Sequence, residues 1–245
     1  MRGSARPARC GSMADMQIDL NCDLGEGCGL DAELMPLITS ANISCGFHAG
    51  DWQTAMAALR LAKEHNVRVG AHPGYPDRDA FGRREWQLTE ENLYELCLYQ
   101  IGALDGLTRM TGQCIRYIKP HGALYNQACR VDRFALPIIS AASELDMAVV
   151  GLPGSRLEAL CMEPDFFREG FADRRYQADG SLVPRTRPDA FIEDPAEAVR
   201  QAEWLIREKG VQTLCVHGDN PKALTFVRTL RTALTEAGFV IRAFT

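Results

Sequence analysis

The chain has five histidines, and four of them stand beside glycine: His48 in GFHAG, His72 in HPG, His121 in PHG and His217 in HGD. Imidazole titrates near pH 6.5, so it can move protons at neutral pH or ligate a divalent metal. Carboxylates that could share either task lie in residues 18–29, IDLNCDLGEGCG. Side chains two apart on an extended strand share a face, which sets Asp19, Asn21 and Asp23 on one side and Ile18, Leu20 and Cys22 on the other. Gly25, Gly27 and Gly29 follow and allow the positive φ that brings backbone N–H groups close to an anion or to a metal's ligands. The plain alternative for this stretch is an edge strand with a solvated face and a flexible loop.

Cations gather near the same residues. Lys119, two before His121, would point to the same side and neutralise an anionic group on a substrate. Arg83, Arg84, Arg174 and Arg175 lie in or beside two long aperiodic segments, 75–87 and 177–191. Guanidinium suits bidentate contacts with carboxylate or phosphate, although solvated loop charge is the ordinary use of such residues. Asn220-Pro221, directly after Asp219, opens a helix whose N-terminal N–H groups form a further anion site. The Walker, Rossmann, nucleophile-elbow and zincin motifs (GxxxxGKS/T, GxGxxG, GxSxG, HExxH) are all missing, so no standard ATP loop, dinucleotide site, serine nucleophile or zincin centre is expected.

The elements that must position these groups follow from hydrophobic period and from glycine and proline punctuation. Strands are predicted at 18–24, 38–45, 67–71, 115–119, 147–151, 166–171 and 213–216, none polar-alternating after the first. Helices are predicted at 31–37, 52–65 (capped by Asp51), 89–110, 132–145, from Ser155, from Asp194-Pro195 to Gly210, and from 220 to 238. Strand then helix, repeated about seven times with short apolar strands, implies a parallel sheet covered by helices. The lack of GxGxxG tilts the choice toward an incomplete barrel. In such folds the carboxyl ends of the strands gather on one rim. His48, His72, His121 and His217 should therefore converge with Asp23 and Asp219, while His65 lies mid-helix on the surface.

The 245 residues carry 46% hydrophobic and 24% charged side chains with a net charge of −5, ordinary for a globular chain and unsuited to general attraction for nucleic acid or an anionic membrane. No apolar run approaches the ~18 residues of a membrane span. The nine cysteines form no CxxC pair, which points to reduced thiols in a cytosol and away from cysteine-held zinc. Residues 1–15 read as a disordered leader or a cloning remnant, and 16–245 as a single domain.

IDLNCDLGEG (18–27), SANISCGFHAGD (40–51), GAHPGYPDRDAFGRR (70–84), KPHGALYN (119–126), FADRRYQADGSLVPR (171–185) and CVHGDNP (215–221) together closely resemble the LamB/YcsF family, identified with the first of the three subunits of the prokaryotic 5-oxoprolinase. Two positions depart from its pattern, Trp52 for proline and Gly74 for serine. The resemblance implies a seven-stranded parallel β/α barrel similar to the glycoside hydrolase/deacetylase superfamily. It further implies ATP-dependent opening of 5-oxo-L-proline to L-glutamate together with subunits B and C, with the site at Asp23, Glu26, His48, His72, His121 and His217.

On that expectation ATP is used with the partner subunits and a divalent metal is optional, with Asp23, His48 and His121 as its ligands. Asp23, His48, His72, His121 and His217 form the catalytic set, with His121 or His72 as general base. Asn21, Glu26, Lys119, Arg174, Arg175 and Asp219 hold substrate. The rival readings are a stand-alone metal-dependent deacetylase or amidohydrolase, and a non-catalytic subunit that presents substrate.

Overall fold

Strand β1 (Gln17–Leu24) pairs in parallel with both β2 (Ser40–Ser44) and β7 (Thr213–His217), so it lies in the sheet's interior and not at an edge. Between them β3 (Arg68–His72), β4 (Ile115–Ile118), β5 (Ala148–Gly151) and β6 (Phe166–Phe171) follow in sequence order. The seven strands thus close into the parallel β/α barrel that the alternation and the resemblance implied. The computed structural model describes residues 16–162, 164–217 and 223–244. The leader at 1–15, Asp219, the helix start at 220–221 and the His217 side chain lie outside the described residues.

The outer layer consists of α1 (Asp31–Leu34), α2 (Trp52–Glu64), α3 (Glu90–Thr111), α4 (Gly122–Arg130), α5 (Asp132–Glu144), α6 (Arg156–Leu160), α7 (Pro195–Lys209) and α8 (Ala223–Glu236). Asp51 caps α2 as expected, its carboxylate accepting from the N–H groups of Gln53 and Thr54. Asp194 caps α7, which Gly210 ends at φ 63°. Helix α4 is absent from the sequence reading because it starts on a glycine without a side-chain cap and breaks into α5 at Val131. Its signal was the buried set Ala123, Leu124, Gln127 and Ala128 at helical spacing. Also unforeseen is β8 (Val240–Ile241), which pairs with the start of β1. It brings Phe244 to within 4.1 Å of the Phe167 ring and 5.0 Å of the Tyr117 ring.

The expectation of uniformly apolar strands fails inside the barrel. Ser40, Asn42 and Ser44 alternate with Ala41 and Ile43 along β2, and all are buried. They meet the polar face of β1. Thr39, Ser40 and Thr213 donate hydroxyls to Asp19, while Asn42 donates to Asn21 and Asp23 at 2.7 Å. Tyr117 reaches across to Asn42 Oδ1 at 2.7 Å. A buried polar group is tolerated only when paired, so this ladder ties strand register to the site above it. No helix among the described residues is long and apolar enough to cross a membrane.

Candidate active site

Asp23 ends the polar face of β1, and the turn after it carries Glu26. The turn after β2 carries His48, β3 ends on His72, and β4 leads into Lys119 and His121. Three of the four predicted histidines therefore meet Asp23 and Glu26 at the carboxyl rim. Nε2 of His48 lies 3.0 Å from Glu26 Oε1, and Nε2 of His72 lies 3.4 Å from Asp23 Oδ2. His48 and His121 stack with centroids 3.8 Å apart and planes 3° from parallel. The backbone makes room for this. A Cβ on Gly82, at φ +66°, would stand 2.7 Å from His48 Cβ and 2.9 Å from His121 Cδ2. At Gly74, where the family pattern suggested serine, a Cβ would stand 2.7 Å from His48 Nδ1, which has no hydrogen-bond partner among the described residues.

Two backbone carbonyls fix the tautomers. His72 Nδ1–H donates to the Lys119 carbonyl at 2.7 Å, and His121 Nε2–H donates to the Phe81 carbonyl at 2.8 Å. Their remaining nitrogens, His72 Nε2 and His121 Nδ1, face each other at 2.9 Å. Two lone pairs cannot bond each other, so a proton or a cation must sit between them. Burial pushes the His48 and His121 imidazoles well below the ordinary histidine range, helped by neighbouring histidines.

Lys119 is buried and held by Glu169 at 2.7 Å, Asp23 at 2.9 Å, Cys215 Sγ at 3.1 Å and Asn21 at 3.2 Å. Burial alone would push its ammonium down. The surrounding negative charge, Asp23 foremost, outweighs that and holds it well above the usual lysine range. An ammonium has three N–H groups, and four acceptors already surround this one, so the expected grip on substrate is corrected: Lys119 orients Asp23. Asn21 is corrected likewise, since its amide is consumed by Glu169, Thr213, Asn42 and Lys119 below the cavity floor.

Above this floor opens a cavity of about 410 Å³ whose wall includes Asp23, Glu26, His72, Lys119, His121, Tyr125, Arg83 and Arg174. His48 stands behind His121 and is absent from the wall. Arg175 turns away to pair with Glu197 at 2.6 Å, and Arg84 pairs with Asp77. Both were expected at the site, and each is claimed by a nearer carboxylate. The metal expectation also shifts. The ligand atoms lying within 4.8 Å of one another belong to Glu26, His48, His72 and His121, with Glu26 and His72 in place of Asp23. The donor set suits a divalent ion, because both cavity-facing imidazoles already give their second N–H to a carbonyl, the usual support of a metal-bound histidine. Glu169, fully buried in β6, was missed, since FFREGF reads as an apolar strand with two adjacent charges of opposite sign.

A crystallised lactam utilization protein from Thermus thermophilus superposes with a TM-score of 0.85 at 41% identity, over 94% of this chain and 100% of that one. The barrel is also similar to a putative cellobiose-phosphate cleavage protein from Enterococcus faecalis (TM-score 0.62, 11% identity, 93% of this chain and 97% of that one). A family 4 carbohydrate esterase from Streptomyces lividans is similar too (0.56, 11%, 95% and 94%). At such identities these last two report the fold alone. The family model for LamB/YcsF matches residues 18–245. From the rim histidines to the last strand, the chain belongs to the LamB/YcsF family.

Proposed function

We propose that this chain is the ring-opening subunit of a cytosolic, ATP-dependent 5-oxoprolinase, hydrolysing 5-oxo-L-proline to L-glutamate with subunits B and C. The observation that carries the reading is the pair of buried imidazoles, His72 and His121, facing each other at 2.9 Å on the wall of the cavity. Similarity to a lactam utilization protein supports the choice of a cyclic amide. A lactam is a poor electrophile because ring opening must break amide resonance, and the chain has no recognisable nucleotide loop. The partner subunits therefore activate the ring with ATP, as a phosphorylated lactam, and this chain directs water at the activated carbon: the C–O bond to water forms, the C–N bond breaks as the nitrogen takes up a proton, and a second water releases inorganic phosphate from the acyl phosphate left behind.

In that step His121 or His72 takes the water's proton, since both line the cavity and a neutral imidazole is the competent base. Asp23, held by Lys119 and Asn42, sets its second oxygen 3.4 Å from His72 Nε2, where it stabilises the imidazolium once that ring has taken the proton. His48 braces His121 by stacking on it. Glu26, His48, His72 and His121 would alternatively hold a divalent metal, which when bound supplies Lewis-acid polarisation of water or carbonyl and occupies the lone pairs that the base would use. That set also favours the second reading, an amidohydrolase acting alone. Turnover of 5-oxoproline by the chain by itself and with both partners, each with and without ATP and chelator, decides. Glutamate formed only with partners and ATP is expected; turnover by the chain alone would transfer the case to the second reading.

A further inference from the structure

Tyr125 lines the cavity while only 4% exposed, and its hydroxyl has no hydrogen-bond partner among the described residues. It stands between the imidazole pair and Arg174. Its N–H donates to the His121 carbonyl at 3.2 Å, which places it one helical turn on from that imidazole. Its ring meets Phe171, three residues before Arg174, edge to face at 6.0 Å. Glu169, absent from the cavity wall, holds a second unpartnered atom. Its Oε1 takes Lys119 at 2.7 Å and Asn21 at 3.1 Å, while Oε2 has no partner among the described residues. The two atoms are near enough for the carboxylate to act on the phenol, though not in hydrogen-bonding geometry. Burial first, then the Glu169 charge, holds the phenol well above the ordinary tyrosine range, so it keeps its proton. Buried polar atoms without partners are costly, and native structures keep them where a ligand completes them.

We propose that Tyr125 reads the ring N–H of the lactam, its phenol oxygen accepting from that N–H while its own O–H turns to Glu169 Oε2. A count of donors leads there. Oε2 is acceptor-only and the phenol has a single O–H to give it, so the oxygen presented to the cavity is left as an acceptor. The ligand must then bring a donor. Its identity rests on the ring-opening reading, and 5-oxoproline carries a carboxylate, a carbonyl oxygen and one N–H, of which only the N–H donates. The layout of the wall agrees. With the acyl carbon at His72 and His121 and the carboxylate at Arg174, the five-membered ring turns either its nitrogen or its two methylenes to the wall between, and an unpartnered polar atom there selects the nitrogen. Phosphorylation at the carbonyl oxygen leaves the N–H in place and more acidic, so the contact strengthens in the activated ring, with Glu169 balancing the positive charge that the nitrogen then carries. The consequence is selectivity for a lactam over a lactone, whose ring oxygen would set a second acceptor against the phenol.

The test compares 5-oxo-L-proline with its lactone analogue, which has a ring oxygen in place of the N–H, by calorimetric titration of the full chain as wild type and as Tyr125→Phe. Wild type should bind the lactam about tenfold more tightly or better, and Tyr125→Phe should bind the two alike. The variant keeps the ring against Phe171 and removes a hydroxyl that the fold leaves unpaired, so its unfolding midpoint should not fall. With both partners and ATP, Tyr125→Phe should lose about tenfold or more in kcat/KM for 5-oxoproline, with the shape of the pH profile unchanged because the phenol neither gives nor takes a proton. A lactam preference that survives in Tyr125→Phe, a wild type that binds both compounds equally or neither, or a lowered midpoint overturns the contact. The two proposals fail separately. A preference erased by Tyr125→Phe in a chain that forms no glutamate when assembled sinks the ring-opening reading alone, and glutamate formed by Tyr125→Phe at undiminished kcat/KM sinks the contact alone.

Discussion

His72 Nε2 and His121 Nδ1 stand 2.9 Å apart, and the second nitrogen of each ring is committed to a backbone carbonyl. Neither ring can rotate or switch tautomer without abandoning a buried hydrogen bond. The gap between them is therefore a fixed receptor for one positive species, a proton or a metal ion, beside the carboxylates of Asp23 and Glu26.

Replacing either ring should stop catalysis while sparing the fold. His121→Ala and His72→Ala, each mixed with intact partner subunits, should lose about 10²- to 10⁴-fold in glutamate formation, with far-UV circular dichroism unchanged. The double variant should be little worse than either single one, because groups acting as a unit are not additive. Full activity in either single variant would remove the imidazole pair from the mechanism.

The same geometry predicts metal uptake. Purified protein equilibrated with zinc and gel-filtered should retain about one ion per chain by plasma mass spectrometry. Glu26→Gln and His72→Ala should retain little. Equal zinc in wild type and both variants would show that the ion sits elsewhere.

Glu169 should be a stability residue as much as a site residue. It is fully buried, and removing its charge leaves Lys119 with Asp23 as its remaining counter-charge and weakens a buried charge-assisted hydrogen bond, at a cost of about 1–3 kcal/mol. Glu169→Gln should show that loss in urea unfolding, and adding Lys119→Met should recover part of it, the signature of coupled neighbours. A loss within about 0.5 kcal/mol of zero would mean the pair is not formed in solution.

Asp19 predicts a pH signature. Burial raises its carboxyl from the ordinary 3.8 to about 6, against the opposing bonds from Thr213, Thr39 and Ser40. The folded state thus keeps a proton that the unfolded chain gives up, so this group's stabilisation is complete below pH ~4 and declines as pH rises through ~6. Asp19→Asn should flatten that decline. Parallel slopes of unfolding free energy between about pH 4 and 7 in wild type and variant would contradict it.

Much of the architecture was legible locally. The strand at 166–171, the Asp51 cap and the Asp194-Pro195 helix start rest on backbone periodicity and short-range hydrogen bonds, which depend only on near neighbours in the chain. The same logic placed His48, His72 and His121 past strand ends, and a parallel barrel gathers such ends on one rim. Partner choice was a different matter. Adjacent Arg174 and Arg175 read alike in sequence, yet one lines the cavity and the other pairs with Glu197. Lys119 read as a substrate clamp until barrel closure surrounded it with acceptors from β1, β6 and β7. Glu169 and Asn21 meet across 148 residues of chain. Local pattern says which residues end a strand; which charges then neutralise one another is decided only when the barrel closes and removes them from water, because burial makes every unpaired charge costly enough to select its partner.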